Sequence, residues 1–167
     1  MKMTQQISIN TPFGSATLTQ KVDQISIVLS TNHPNIQAHS VSYIHHESIL
    51  KIIVDAIVQY LEKPNHPFNL AKYLPIETLK GTDYQKRVWQ AIVGIPVGQT
   101  ISYTDIAITL HSSPRAVANA CGANSLPILI PCHRVVAKHG IGGFMRGNAD
   151  GLIIKQWLLN HEGVNFA

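Results

Sequence analysis

Cysteine is almost missing from this chain. Cys121 and Cys132 are the only two in 167 residues. There is no Cys-x-x-Cys pair, which argues against a thiolate zinc site, and two cysteines make no disulfide framework. Charge is also scarce: 13% of residues are Asp, Glu, Lys or Arg, against 45% hydrophobic. That is globular composition under a thin charged coat. No apolar run reaches bilayer-spanning length. The opening Met1-Lys2-Met3-Thr4-Gln5-Gln6 is polar and lacks the apolar stretch of a secretory signal. A soluble, cytoplasmic protein with no membrane partner is expected.

The nine histidines are scattered. His33, His39 and His66 fall in polar, loop-like sequence, and the adjacent His45 and His46 would point apart on a strand. No metal site is expected from them. The net charge of +4 is uneven: residues 1–80 hold six Lys/Arg and five Asp/Glu, residues 81–167 seven and four. This small basic excess fits a nucleic-acid partner, and equally a merely basic surface.

The two halves differ in texture. Ile7 and Ile9, a Pro12-Phe13-Gly14 turn, Ala16 and Leu18, then Ile25–Leu29 read as strands of an antiparallel meander. From Glu47 to Lys63 the period becomes helical, with Leu50, Val54, Ile57 and Leu61 on one face and Pro64 as the stop. Residues 64–80, with three prolines, read as an ordered linker. In the second half, Thr82-x-x-Gln85 is a capping box ahead of an apolar stripe of Tyr84, Val88, Trp89 and Ile92. Ser102 starts a short helix with Tyr103, Ile106, Ala107 and Leu110 on one side. Ser113-Pro114 opens another, with Val117, Ala120 and Cys121 inward. The pair resembles a helix-turn-helix, a weak signal alone. The simplest account is an α+β chain: a small α/β unit, residues 1–79, then a mainly helical one, residues 80–167.

The run Leu126-Pro127-Ile128-Leu129-Ile130 must be buried, and it delivers Pro131-Cys132-His133-Arg134-Val135 to a fixed place. A free cysteine is commonly a core residue. Here His133 and Arg134 follow it, and a nearby cation favours the nucleophilic thiolate. Adjacent side chains diverge, so His133 would act on Cys132 through a water. A third group should orient His133; Glu162 is one carboxylate among several.

Pro131-Cys132-His133-Arg134-Val135 resembles the active-site motif of the O6-alkylguanine-DNA alkyltransferases. The likeness runs through Gly81-Thr82-Asp83-Tyr84-Gln85, Val88-Trp89, Ile95-Pro96-x-Gly98-x-Thr100-x-Ser102-Tyr103, Arg115-Ala116-Val117, Asn124 and Lys155-x-Trp157-Leu158-Leu159-x-x-Glu162-Gly163, in the family's order. The resemblance implies an RNase H-like N-terminal domain and a winged-helix-like DNA-binding domain. It implies that Cys132 takes the alkyl group from O6-alkylguanine, and from O4-alkylthymine as a further substrate, in double-stranded DNA entered from the minor groove. A monomer, used once and without a cofactor, follows. His133 and Glu162 become the relay keeping the thiol deprotonated. Asn124 holds the turn, and Tyr103 aids departure of the guanine through N3. Arg115 fills the space of the flipped nucleotide, with Ala116, Ala118, Ser102 and Thr104 at the DNA. Cys121, Val135, Phe144 and Met145 line the base pocket. The lid segment 142–151 is longer than in many members, and Phe144 replaces a tyrosine there. A non-catalytic alkylated-base recognition protein is the alternative; a helix-turn-helix regulator and a cysteine hydrolase fit the Cys-His motif less well.

Overall fold

The computed structural model describes residues 4–22, 24–33, 48–65, 68–147 and 149–166. Three strands, β1 (Gln5–Thr11), β2 (Gly14–Lys21) and β3 (Gln24–Ser30), form an antiparallel meander in the order β1-β2-β3. Alternation sets their faces. Ile7, Ile9, Ala16, Leu18, Ile27 and Leu29 point into the core, while Val28 stays exposed. The helix α1 (Ile49–Glu62) begins at Ser48, whose hydroxyl accepts from the Lys51 amide. It packs on β2 with Leu50, Ile53, Val54, Ile57 and Tyr60 buried. Leu61, expected on that face, is only partly buried, and Tyr60 takes the inner position.

The expected linker contains structure of its own. A one-turn helix α2 (Leu70–Tyr73) and a 3-10 turn at Ile76–Thr78 bury Leu70 and Ile76. Each begins where a residue that resists helix stands: Asn69, whose side chain caps Lys72, and Pro75. The second half follows its punctuation. It holds α3 (Asp83–Val93), the short strand β4 (Ile101–Ser102), α4 (Tyr103–Thr109), α5 (Pro114–Gly122), β5 (Val135–Val136) and α6 (Ala149–His161). Thr82/Gln85 and Ser102/Asp105 form reciprocal capping boxes, and Ser113 caps α5 ahead of Pro114. α5 packs on both α3 and α4, and the buried Trp89 indole donates to the Ala120 carbonyl at 2.9 Å.

The halves share one core. β3 is joined to the second half by the Ile27 amide, which donates to the Ser125 carbonyl at 2.8 Å. Phe13 meets Trp157 edge-on at 5.2 Å. The run 126–130 is buried as expected, and Ile128 reaches its place with φ +75°, an uncommon conformation for a β-branched residue. No described helix is long and apolar enough to cross a membrane.

Gly14 closes the first hairpin with φ +143°, and a Cβ there would sit 2.0 Å from the Ser30 carbonyl oxygen. Both partners are backbone, so nothing can swing aside. We expect Gly14→Ala to cost about 3 kcal/mol of stability, measured by urea unfolding; wild-type stability would contradict the hairpin geometry.

Candidate active site

Cys132 lies in a single 3-10 turn, Cys132–Arg134, between the buried run and β5. Asn124 builds that turn. Its amide nitrogen donates to the Ile130 carbonyl at 2.9 Å and to Cys132 Sγ at 3.2 Å, and its side-chain oxygen accepts from the Leu126 amide at 2.9 Å. One side chain thus ties both ends of the apolar run and touches the sulfur.

Glu162, from the end of α6, is the anchor behind Cys132. Its carboxylate accepts from His133 Nε2 at 2.7 Å, from the Tyr60 hydroxyl at 2.8 Å and from Arg134 through two nitrogens at 2.9 Å each. The Gly98 amide adds a longer bond of 3.3 Å. A carboxylate holding this many donors stays ionised, and hydrogen bonds from His133 and Arg134 keep its pKa well below the ordinary range despite burial. His133 is pushed the other way. Burial lowers its pKa, so the ring is neutral. Its one proton must lie on Nε2, facing Glu162. Nδ1 is then a bare acceptor, buried and without a protein hydrogen-bond partner. No direct Cys132–His133 hydrogen bond forms, in keeping with the divergence of adjacent side chains.

Two expectations need correction. Arg134 does not supply charge to Cys132: its guanidinium is turned to Glu162 and to the Ile95 carbonyl at 2.6 Å. Nor is the resting sulfur poised as a thiolate by its surroundings. Burial raises the Cys132 pKa, and the Asn124 hydrogen bond and the charge of Lys155 only partly oppose this. Lys155 is the cation that sequence reasoning missed. Its side chain is fully buried; Nζ donates to the Val135 carbonyl at 2.6 Å and the Gly143 carbonyl at 2.9 Å. Burial lowers its pKa to about 8. Its position seven residues before Glu162 places both on one face of α6, a signal the spacing did contain. Tyr60 gave no signal, because the helical period put Leu61, and not Tyr60, on the inner face.

A cavity of about 580 Å³ opens beside Cys132. Tyr103, Cys121, Phe144 and Met145 line it, as does Ala118. Val135 does not: its side chain is sealed in the core, where β5 pairs with β4, and its contribution is the carbonyl that holds Lys155. Burial raises the Tyr103 pKa, so its hydroxyl remains a donor; it reaches the Gly143 carbonyl at 3.1 Å. Gly142 (φ +73°) lets the lid pass over that ring, since a Cβ would lie 2.9 Å from it. The Cys121 thiol is pushed up to about 12 by burial and the neighbouring Cys132. It is a poor nucleophile. Arg115 is exposed at the start of α5, with Ala116 partly buried behind it. Ser102 uses its hydroxyl to cap α4, and Thr104 stands in that helix's first turn. His33 is exposed, whereas His39, His45, His46 and His66 lie outside the described residues. Among the described residues no group of three or more His, Cys, Asp or Glu could hold a metal.

Residues 83–164 match the family model described as 6-O-methylguanine DNA methyltransferase, DNA binding domain. Residues 83–164 carry the DNA-binding domain of this methyltransferase family. It is similar to a probable methylated-DNA–protein-cysteine methyltransferase of Acanthamoeba polyphaga mimivirus, 49% identical over 52% of this chain and 57% of the relative. A methylated-DNA–protein-cysteine methyltransferase of Candida albicans is 37% identical over 68% of this chain and 63% of its own length. The chain therefore spans under two thirds of these curated relatives. In three dimensions it resembles the Mycobacterium tuberculosis OGT solved in complex with DNA, with a TM-score of 0.67 and 27% identity over 94% of this chain and 91% of that one.

The cluster around Glu162 predicts a distinctive acid response. Glu162 contributes stability that is complete above about pH 4.5, its ordinary pKa, and is lost as pH falls toward its lower folded value. Glu162→Gln removes the charge that Arg134 needs, so we expect a loss of about 3–5 kcal/mol at neutral pH. We also expect a shallower further loss below pH 4.5 than in wild type. Parallel acid-unfolding curves for the two proteins would contradict this arrangement.

Proposed function

We propose that this chain repairs DNA by direct reversal, transferring the alkyl group from O6-alkylguanine to Cys132 once per molecule. The observation that carries the reading is the linked set Cys132–Asn124 and His133–Glu162 beside a cavity large enough for a base. In the mechanism, a damaged nucleotide rotates out of the duplex, because O6 within the stack is out of reach of any protein atom. α4 and α5 act as a winged-helix-like reader in the minor groove, where little sequence is legible. Arg115 occupies the vacated space, and the small Ala116 and Ala118 admit the backbone, with Ser102 and Thr104 nearby. Residues 1–79 serve as an RNase H-like unit bracing residues 80–167, and the protein works as a cytoplasmic monomer.

The chemistry follows from the protonation states. Cys132 rests as a thiol. His133 Nδ1 takes its proton through a bridging water, and Glu162 offsets the charge that appears on the ring. Sγ attacks the alkyl carbon in line. The S–C bond forms as the C–O6 bond breaks, and the electron pair stays on the guanine; Tyr103 donates a hydrogen bond to N3 while keeping its proton, and the proton taken up by His133 passes through water to the base. Lys155, close to both sulfurs and to Tyr103, stabilises the negative charge as it passes from sulfur to base. The product thioether is not readily reversed. The substrate brings its own alkyl group, so the step uses no cofactor. A recognition protein without chemistry has no use for an acceptor sulfur at the cavity, and this chain keeps Cys132 there, which makes that alternative the weaker.

Intact-mass spectrometry after incubation with duplex DNA containing O6-methylguanine should show one added methyl on wild type and none on Cys132→Ala. An unmodified wild type would end the proposal. Lys155→Met should slow the single-turnover rate by about 100-fold. In wild type the rate should climb as pH rises above 7, since burial holds the Cys132 thiol above its ordinary range and its ionised fraction keeps growing there, while His133 is already neutral. A rate independent of Lys155 and of pH would contradict the charge argument.

A further inference from the structure

One charged side chain lines the cavity beside Cys132, and the mechanism above gives it no task. Among the described lining residues, Arg146 is the sole Lys, Arg, Asp or Glu. A second cavity, of about 190 Å³, also touches Cys132 and again has Arg146 as its one charged lining residue. The placement is built by the local backbone. Met145 and Arg146 both have left-handed φ, +48° and +58°, uncommon for residues with a side chain. Arg146 Nε donates to the Gly122 carbonyl at 3.0 Å, at the C-terminal end of α5, where the helix dipole favours a cation. Gly122 makes room for it: a Cβ there would lie 3.3 Å from Arg146 Cγ. The lid turn and α5 are thus joined through the stem of this one arginine.

A methyl group offers a guanidinium nothing. A carboxylate offers two oxygens that fit its planar fork. We infer that Arg146 selects O6-alkyl groups carrying a carboxylate, the smallest being carboxymethyl. This rests on the alkyltransferase reading. The reacting carbon must be bonded to O6 and open to the sulfur, so the anionic group is held one bond beyond it. There it would repel the attacking thiolate, and a cation at the cavity wall offsets the repulsion. The step balances as for methyl. Sγ bonds to the CH2 carbon, the C–O6 bond breaks, and the guanine keeps the electron pair, accepts a hydrogen bond from Tyr103 and takes up the thiol's proton by way of His133 and water. The product is S-carboxymethylated Cys132.

The test uses the whole chain and one duplex with three O6 adducts: methyl, carboxymethyl and the neutral, near-isosteric carbamoylmethyl. Single-turnover rates are followed by intact mass. In Arg146→Gln the carboxymethyl to carbamoylmethyl rate ratio should fall about fivefold, the size of a partly exposed ion pair. Arg146→Lys should keep part of it. In wild type the same ratio should fall as salt rises from about 50 mM to about 500 mM, a measurement that stands even if the glutamine variant does not fold. A ratio indifferent to both charge and salt overturns the inference. So does an equal slowing of all three adducts, which would put Arg146 on the DNA backbone. Wild type that takes no methyl at all defeats the alkyltransferase reading itself, and this inference with it.

Discussion

The buried carboxylate of Glu162 organises the molecule around it. Its donors come from α1, from the loop at Gly98 and from the turn that carries Cys132. An unpaired carboxylate at this depth would be strongly unfavourable, so each donor is held in place by the need of the others. That constraint reaches both ways. It fixes Arg134 and His133, hence the direction in which Cys132 leaves its turn. It also binds α1 to α6, so the half of the chain without chemistry sets the position of the half that has it. The residue with the largest architectural effect is therefore also the one that fixes which ring nitrogen of His133 is bare.

A second constraint follows from burial of the sulfur. A thiolate inside the protein has to be balanced, and Lys155, the cation that acts on it, is itself buried. Lys155 is lowered by desolvation and raised by Cys132 and Cys121, while Cys132 is raised by desolvation and lowered by Lys155. Each favours the charged form of its neighbour. Alone, either would shed its charge. The cost of ionising the sulfur is thus deferred to the moment of attack, when charge moves on to the base. A reactive thiolate standing open to water would be exposed to oxidation and to stray electrophiles. In the proposed single-use reaction, the nucleophile stays protonated until a substrate fills the cavity.

Much of the fold was legible because punctuation and period agreed. Thr82/Gln85, Ser102/Asp105 and Ser113-Pro114 stand where helices begin, and the Ile7–Leu29 alternation gives the meander. The segment 64–80 was misread because its prolines mask two single turns too short to have a period. At the site, Cys132, His133, Asn124 and Glu162 were named by resemblance and meet in space. Lys155 and Tyr60 escaped, and Arg134 was named but given Cys132 in place of Glu162, for one shared reason. Each is a polar residue whose burial depends on a partner distant in the chain: Glu162 for Arg134 and Tyr60, the Val135 and Gly143 carbonyls for Lys155. Local pattern assigns such residues to the surface or to packing. Val135 failed in reverse, since a motif neighbour of the nucleophile was counted into the pocket while the alternation of β5 turns it inward.

The Gly143 carbonyl ties these threads together. It accepts both the Tyr103 hydroxyl and Lys155 Nζ. The group proposed to hydrogen-bond the leaving base and the group proposed to balance the sulfur therefore share one acceptor on the lid. A base entering the cavity and engaging Tyr103 must compete with that carbonyl for its proton. If Tyr103 turns to the base, Gly143 keeps Lys155 as a donor and the lid is not left with an unsatisfied oxygen. The lid can then give up one bond without opening. The same segment continues directly into the left-handed pair Met145-Arg146, anchored to α5 through Gly122. Lys155 and Arg146 thus hold residues 143–146 to the body of the protein at two points, and in the proposed reaction the alkyl group must fit beneath that stretch.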